Sequence, residues 1–175
     1  MIERTGVVTK GGKPVTLLGP EIKVGQKAPD FKLLNIGWKD VALSESKGKV
    51  RLLSVVHSLD TPVCNLQTEE FEEQAGKFKN LVVYTISMDL PFTQARYTQD
   101  HKIKNVKTLS DYKDASFGMA YGVLIKESRL LSRAIFIIDE KDTVSYVEYV
   151  KEVATPPDYD KAIAALKNLL GAKVG

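Results

Sequence analysis

Residues 50–64 read VRLLSVVHSLDTPVC, and this stretch leads from a predicted strand directly into the only cysteine of the sequence. Its first part, residues 50–56, is short, mostly apolar and rich in β-branched residues, which is typical of a strand covered on both faces. Thr61 then suits the N-cap of a helix, and Pro62 suits its first position. The pattern therefore predicts a buried strand followed by a helix with Cys64 in its first turn.

A cysteine in the first turn of a helix has an unusual chemical environment. The N–H groups of that turn lack partners within the helix, and the helix dipole places partial positive charge there. Both effects favour the thiolate, which is the reactive form of cysteine. A single free cysteine is otherwise often a small buried apolar residue. The placement favours a reactive Cys64 and leaves the purely structural interpretation open.

Residues 57–64, HSLDTPVC, resemble the peroxidatic motif of the peroxiredoxins, Pro-x-x-x-Thr-x-x-Cys, in the form of the thiol peroxidase subgroup. Residues 87–92, SMDLPF, resemble the segment that follows the subgroup's next strand. Residues 131–140, LSRAIFIIDE, resemble the strand with its active-site arginine. The resemblance covers nearly the whole chain. It implies an α/β, thioredoxin-like fold with a central mixed β-sheet, helices on both faces and an added N-terminal β-hairpin.

The same resemblance implies a thiol-dependent peroxidase that reduces hydrogen peroxide and organic hydroperoxides through a sulfenic acid on Cys64. It also implies that Thr61 orients the peroxide, that Arg133 belongs to the active site, and that the protein is a homodimer. The backbone N–H groups of Val63 and Cys64 are further candidate donors. We expect no cofactor and no metal site, because one cysteine and two scattered histidines do not form a ligand set.

The chain departs from the family pattern at two positions. His57 stands where the motif has proline, and Thr98 stands where the subgroup usually has its resolving cysteine. No other cysteine exists in the sequence. We therefore expect oxidised Cys64 to be reduced by an external thiol, either a thioredoxin-type protein or a small molecule, or else by the Cys64 of a second subunit.

Two other functions remain open from the residues alone. His57 is close enough in sequence to Cys64 to suggest a Cys/His hydrolase or transferase. Oxidation of Cys64 could also control partner binding in a redox sensor or adaptor. Peroxide consumption at catalytic turnover separates the enzyme from the sensor, and activity on a thioester or peptide would support the hydrolase.

The composition limits the class of protein. With 175 residues and 43% hydrophobic content, the chain is expected to be a single domain, 1–175. A net charge of +3, spread along the chain, is too weak to predict nucleic-acid or membrane partners. One cysteine cannot form an internal disulfide, and residues 1–6 do not resemble a signal peptide. We therefore expect a cytoplasmic protein.

The remaining pattern predicts the elements around the central stretch. Residues 1–19 predict a hairpin with a Gly11-Gly12 turn. The helix from Pro62 is expected to end at Gly76, and its predicted inner stripe is Val63, Leu66, Phe71 and Ala75. With the apolar strand at 81–87 it predicts a parallel βαβ unit.

Further along, a second helix is expected to reach residue 100, with a short strand at 106–110 after it. An antiparallel hairpin is predicted for residues 133–138 and 143–150, and a terminal helix is predicted for residues 157–170.

Overall fold

The computed structural model describes residues 1–171, and residues 172–175 of the predicted domain lie outside the described part. The strands are β1 (Glu3–Lys10), β2 (Lys13–Leu18), β3 (Lys32–Leu34), β4 (Asp40–Ala42), β5 (Val50–Val55), β6 (Leu81–Ser87), β7 (Lys107–Ser110), β8 (Leu124–Ile125), β9 (Ala134–Ile138) and β10 (Val144–Tyr149). The helices are α1 (Pro62–Lys77), α2 (Pro91–Asp100), α3 (Ser116–Ala120) and α4 (Tyr159–Leu170), with a 3-10 turn at Leu43–Ser46.

The main sheet has seven strands in the order β10-β9-β5-β6-β7-β3-β4. Strand β5 is buried along its whole length, as its apolar β-branched sequence predicts. It pairs in parallel with β6, and β6 pairs in parallel with β7. On its other side β5 pairs antiparallel with β9. The sheet is therefore mixed, and the predicted βαβ unit is confirmed.

Helices cover both faces of this sheet. On one face, Phe71 of α1 and Leu166 of α4 pack against Leu52 and Ile135. On the other face, Phe117 of α3 belongs to a separate apolar cluster with the sheet residues. No helix among residues 1–171 is long and apolar enough to cross a membrane. The predicted α/β fold class, with a mixed sheet between helices, is confirmed.

The N-terminal hairpin is also confirmed. Strands β1 and β2 pair antiparallel, and Gly11 and Gly12 form the turn with φ values of 59° and 77°. Glycine suits these left-handed conformations because it has no Cβ. Strand β2 continues into a pairing with β8, which makes a separate three-stranded sheet. The sequence did not predict β8, since two residues are too few to show an alternating pattern.

The prediction for α1 was partly wrong. The helix includes Gly76 and continues to Lys77, so Gly76 does not end it. Leu66, placed on the predicted inner stripe, is 60% exposed. The buried face instead consists of Cys64, Gln67, Thr68, Phe71 and Gln74. Polar side chains occupy much of this face because they bind partners inside the protein, and a count of apolar residues does not detect them.

Candidate active site

Cys64 lies in the first turn of α1, because Thr61 is the N-cap and Pro62 opens the helix. Its side chain is 0% exposed and packs with Val56, Leu59 and Tyr97. Among the described residues, the backbone N–H groups of Val63 and Cys64 donate to no partner. They remain free to donate to an anion at this end of the helix.

A pocket of about 210 Å³ opens beside this turn. Its lining residues come from the hairpin, the β5–α1 connection, the residue before β9 and the segment after β10; they are Lys10, His57, Thr61, Pro62, Val63, Arg133, Val153 and Ala154. The fold thus brings Thr61, Arg133 and His57 to one cavity. Cys64 is buried and is not among the lining residues, but it follows the lining residue Val63 in the chain.

Arg133 is a buried cation whose hydrogen bonds go to neutral groups. Its Nε donates to the carbonyl of Val153 at 3.0 Å, and its Nη1 donates to Oε1 of Gln67 at 2.9 Å. Within residues 1–171 it forms no ion pair, and its Nη2 has no hydrogen-bond partner. A buried guanidinium without a carboxylate is costly unless an anion approaches it. Because Gln67 lies three residues after Cys64, this contact places Arg133 near the helix face that carries the thiol.

Thr61 occupies the predicted N-cap position, but its hydroxyl does not cap the helix. Oγ1 donates to the carbonyl of Ser58 at 2.9 Å, and no N–H of the helix donates to it. The hydroxyl proton is therefore occupied while the oxygen lone pairs stay free. Thr61 can accept a hydrogen bond from a molecule in the pocket.

Asp89 anchors the loop between β5 and α1. One carboxylate oxygen accepts from Oγ of Ser58 at 2.8 Å, and the other accepts from the N–H of Leu59 at 2.9 Å and from Oγ of Ser87 at 2.7 Å. These bonds tie the loop to the end of β6. The position of Thr61 therefore depends on a residue of the SMDLPF segment.

His57 is buried at the rim of the pocket. Its Nδ1 lies 3.0 Å from the carbonyl of Leu131. Since a carbonyl only accepts hydrogen bonds, Nδ1 carries a proton. Burial is the main reason that the pKa of His57 is lowered from its ordinary 6.5. The imidazole is therefore neutral at pH 7.

Comparison with known proteins agrees with this geometry. The redoxin family profile matches residues 23–163. A thiol peroxidase of Halalkalibacterium halodurans is 53% identical over 163 residues, which are 93% of this chain and 98% of the relative. The chain belongs to the redoxin family, as a peroxiredoxin of the thiol peroxidase type.

Two further comparisons support this assignment. A thiol peroxidase of Bacillus subtilis is 50% identical over 163 residues, which are 93% of this chain and 98% of the relative. The crystal structure of a peroxiredoxin-like protein from Aquifex aeolicus superimposes with a TM-score of 0.88 at 38% identity, over 95% of this chain and 97% of that one. The protein is a thiol-dependent peroxidase, an oxidoreductase that acts on peroxides. The sensor alternative is not favoured.

Three residues around the peroxiredoxin's pocket were missed from the sequence. Gln67 was overlooked because it is polar, yet its spacing from Cys64 puts both on one helix face. Asp89 belongs to residues 87–92, a segment whose sequence shows a family resemblance but no sign of this contact. Lys10 reaches the pocket from the hairpin, and nothing local in the sequence indicates that contact.

Proposed function

We propose that Cys64 is the nucleophile of this peroxiredoxin. Its thiolate attacks the terminal oxygen of a hydroperoxide, so that an S–O bond forms while the O–O bond breaks. Sulfur is oxidised to the sulfenic acid, and the other oxygen leaves as an alkoxide or hydroxide that takes up a proton. The observation that carries this proposal is that Arg133, which pairs with no carboxylate among the described residues, lines one pocket with Thr61 and Val63 at the helix end that holds Cys64.

Thr61 and Arg133 act on the peroxide in this proposal. The free lone pairs of Thr61 accept a hydrogen bond from the hydroperoxide and orient it for attack. The Nη2 group of Arg133 and the N–H groups of Val63 and Cys64 then stabilise negative charge on the leaving oxygen. Donors already in place lower the barrier because they need no rearrangement during the reaction.

The variants Thr61→Val and Arg133→Ala test these roles. Each should slow hydroperoxide reduction roughly tenfold or more, as expected when an oriented group is lost. Stopped-flow measurement of Cys64 oxidation gives the rate, and circular dichroism checks the fold. Arg129→Ala is the matched control, because Arg129 is exposed in the loop before β9 and should leave the rate unchanged. Wild-type rates in both site variants would remove Thr61 and Arg133 from the mechanism.

For regeneration we propose an external thiol, either a thioredoxin-type protein or a small molecule. Thr98 has no sulfur, and its hydroxyl donates to the carbonyl of Ala95 at 2.9 Å. It lines a different and larger cavity, of about 520 Å³, which contains none of Cys64, Thr61 and Arg133. A thiol entering the pocket beside Thr61 would attack the sulfenic acid, release water and leave a mixed disulfide on Cys64.

A homodimer is also proposed. An exposed aromatic group joins the β3–β4 turn to α2, since the rings of Trp38 and Phe92 lie 4.8 Å apart and Phe92 is 68% exposed. Tyr112 packs edge-on against Trp38 at 6.1 Å. Exposed apolar surface of this kind is typical of association sites. Sedimentation velocity should find a dimer that Phe92→Ser weakens, and a wild-type monomer at micromolar concentration would contradict the proposal.

We further propose that residues 1–175 form one domain that works in the cytoplasm, with a hydroperoxide and a thiol as its reaction partners. The single cysteine supports that location, since the fold relies on no disulfide. The small net charge of +3 argues against nucleic-acid and membrane partners. Cell fractionation should recover the peroxidase activity with a cytoplasmic marker, and recovery with a periplasmic marker would contradict the proposed location.

A further inference from the structure

His57 lines the reaction pocket but has no part in the chemistry described above. It occupies the position of the motif's proline, in the same pocket as Thr61 and Arg133. Its ring is fixed by the hydrogen bond from Nδ1 to the carbonyl of Leu131. A proline at this position could not titrate, whereas an imidazole can accept and release a proton near neutral pH.

The surroundings of His57 keep its ring neutral. After burial, the charges of Lys10 and Arg133 also lower its pKa, while the Leu131 hydrogen bond and the charge of Asp89 oppose this. Since Nδ1 carries the proton of the neutral ring, Nε2 has a free lone pair. Within the described residues Nε2 has no hydrogen-bond partner. The pocket therefore contains a free base.

A base beside the hydroperoxide can carry a proton between its two oxygens during the reaction. The oxygen that Cys64 attacks carries a hydrogen, and the departing alkoxide needs one. Arg133 and the backbone N–H groups are donors, so they cannot accept this proton. Thr61 can orient the hydroperoxide, but an alcohol is too weak a base to take up a proton near pH 7. A neutral imidazole is suited to that role.

We propose that His57 is a catalytic proton relay for the hydroperoxide, a proposal that rests on the role of Cys64 proposed above. As the S–O bond forms and the O–O bond breaks, Nε2 accepts the proton of the attacked oxygen. The imidazolium then gives this proton to the leaving alkoxide, and the products are an alcohol and the sulfenate of Cys64, which becomes the sulfenic acid when it takes up a proton from solvent. The relay returns His57 to its neutral form, so the relay itself consumes no proton.

The wild-type protein allows a test without substitution. The rate of Cys64 oxidation by tert-butyl hydroperoxide is measured from about pH 8 down to the lowest pH at which circular dichroism shows the native fold, together with the rate of Cys64 alkylation by iodoacetamide. Alkylation needs the thiolate but no proton relay, so the ratio of the two rates cancels the ionisation of Cys64. This ratio should be constant near neutral pH and should fall in acid as His57 becomes protonated. A ratio that stays constant over the whole range overturns the proposal.

The variant His57→Asn sharpens this test. An asparagine amide can still donate to the carbonyl of Leu131 but has no basic atom at the position of Nε2. It should slow tert-butyl hydroperoxide reduction about tenfold or more at pH 7 and leave alkylation of Cys64 unchanged. His101→Asn makes the same change at a surface histidine, whose Nδ1 lies 3.8 Å from Oε1 of Glu69, and should have no effect on either rate.

The outcomes separate this proposal from the proposed function. If Cys64→Ser keeps peroxidase activity, the nucleophile itself is wrong. If Cys64→Ser is inactive and His57→Asn matches the wild type at every pH, Cys64 stands and the relay is overturned. A loss in His57→Asn that is equal at all pH values would reflect packing, and it would also overturn the relay.

Discussion

Gln67 gives Arg133 a fixed position without neutralising it. The Nε2 group of Gln67 donates to Oγ of Ser54 at 2.8 Å, which leaves Oε1 directed at the guanidinium. A carboxylate at this position would pair with the guanidinium and cancel its charge. The neutral amide therefore leaves the positive charge of Arg133 available to an anion in the pocket.

This arrangement predicts the behaviour of Gln67→Leu. Loss of the amide leaves Nη1 of Arg133 buried without an acceptor, which should lower the free energy of unfolding by about 1–3 kcal/mol. Hydroperoxide reduction should slow as well, because Arg133 loses its orientation. Urea denaturation and stopped-flow kinetics measure the two effects.

Gln74→Leu provides the control, since Gln74 is buried on the same helix but bonds Glu70 instead of Arg133. It should change stability without slowing the reaction. An unchanged rate in Gln67→Leu would show that Arg133 does not depend on Gln67.

The position of an individual residue could be predicted from the sequence where that residue belongs to a local motif. The spacing from Thr61 to Cys64 is local, so the placement of both residues at the start of a helix could be predicted. The contacts of Gln67 and Asp89 could not be predicted, because their partners are far away in the chain. The orientation of α1 could not be predicted either. Apolar character places Leu66 on the inner face, but the buried face of the helix contains Gln67 and Thr68.

The N-terminal hairpin forms part of the wall of the pocket beside Thr61, through Lys10. The N–H of Thr9 donates to the carbonyl of Lys151 at 2.7 Å, and the N–H of Val153 donates to the carbonyl of Thr9 at 3.0 Å. Glu152 accepts from the N–H of Gly12 at 2.8 Å and from Oγ1 of Thr9 at 3.1 Å. Since the carbonyl of Val153 accepts from Arg133, the hairpin supports the arginine through this segment.

Glu152→Ala should therefore slow catalysis although Glu152 does not line the pocket. Without the carboxylate the hairpin tip loosens, and the efficiency of hydroperoxide reduction should fall roughly threefold to tenfold through mispositioning of Lys10 and Arg133. Hydrogen exchange at residues 9–12 and steady-state kinetics provide the readouts.

Glu127→Ala is the matched control for the hairpin. Glu127 accepts from the N–H of Thr16, in the half of β2 that is farther from the turn. Its loss should increase exchange there and leave the kinetics unchanged. Equal kinetics in the two variants would show that the hairpin tip does not support the site.

At the element scale, long strands with clear apolar patterns were predicted well. Strands β5, β6 and β9 are β-branched and buried, and their periodicity is a local property. The docking of the hairpin onto residues 151–153 depends on hydrogen bonds between segments at least 140 residues apart in the chain, so no local sequence pattern indicates it. The hairpin could therefore be predicted as an element, and its contribution to the pocket could not.

The topology of the whole sheet explains why distant segments meet at the start of α1. Parallel strands β5 and β6 end at the same edge, where Val55 pairs with Ile86. Val55 also pairs with Ala134, so antiparallel β9 begins at that edge. The continuations of these strands lead to Cys64, to Asp89 and back to Arg133. Functional residues commonly gather at the carboxyl ends of parallel strands.

The parallel pair could be predicted from the sequence, but the position of β9 could not. An antiparallel partner for β5 that is more than 70 residues away in sequence requires knowledge of strand order. The family resemblance indicated Arg133 as a candidate without knowledge of the strand order. The sheet explains why Arg133 lies near Thr61, because the pairing of Val55 with Ala134 places Arg133, the residue before β9, beside the β5–α1 loop.

The most direct test of the whole account is the intact mass of the protein after one equivalent of hydroperoxide, measured with and without a small thiol. Without thiol we predict a gain of one oxygen on Cys64, and a second equivalent of hydroperoxide should add a second oxygen as sulfinic acid forms. With thiol we predict a mixed disulfide on Cys64, which excess thiol returns to the reduced mass. A protein that consumes hydroperoxide while its mass never changes, or a Cys64→Ser variant that still consumes it, would contradict the account.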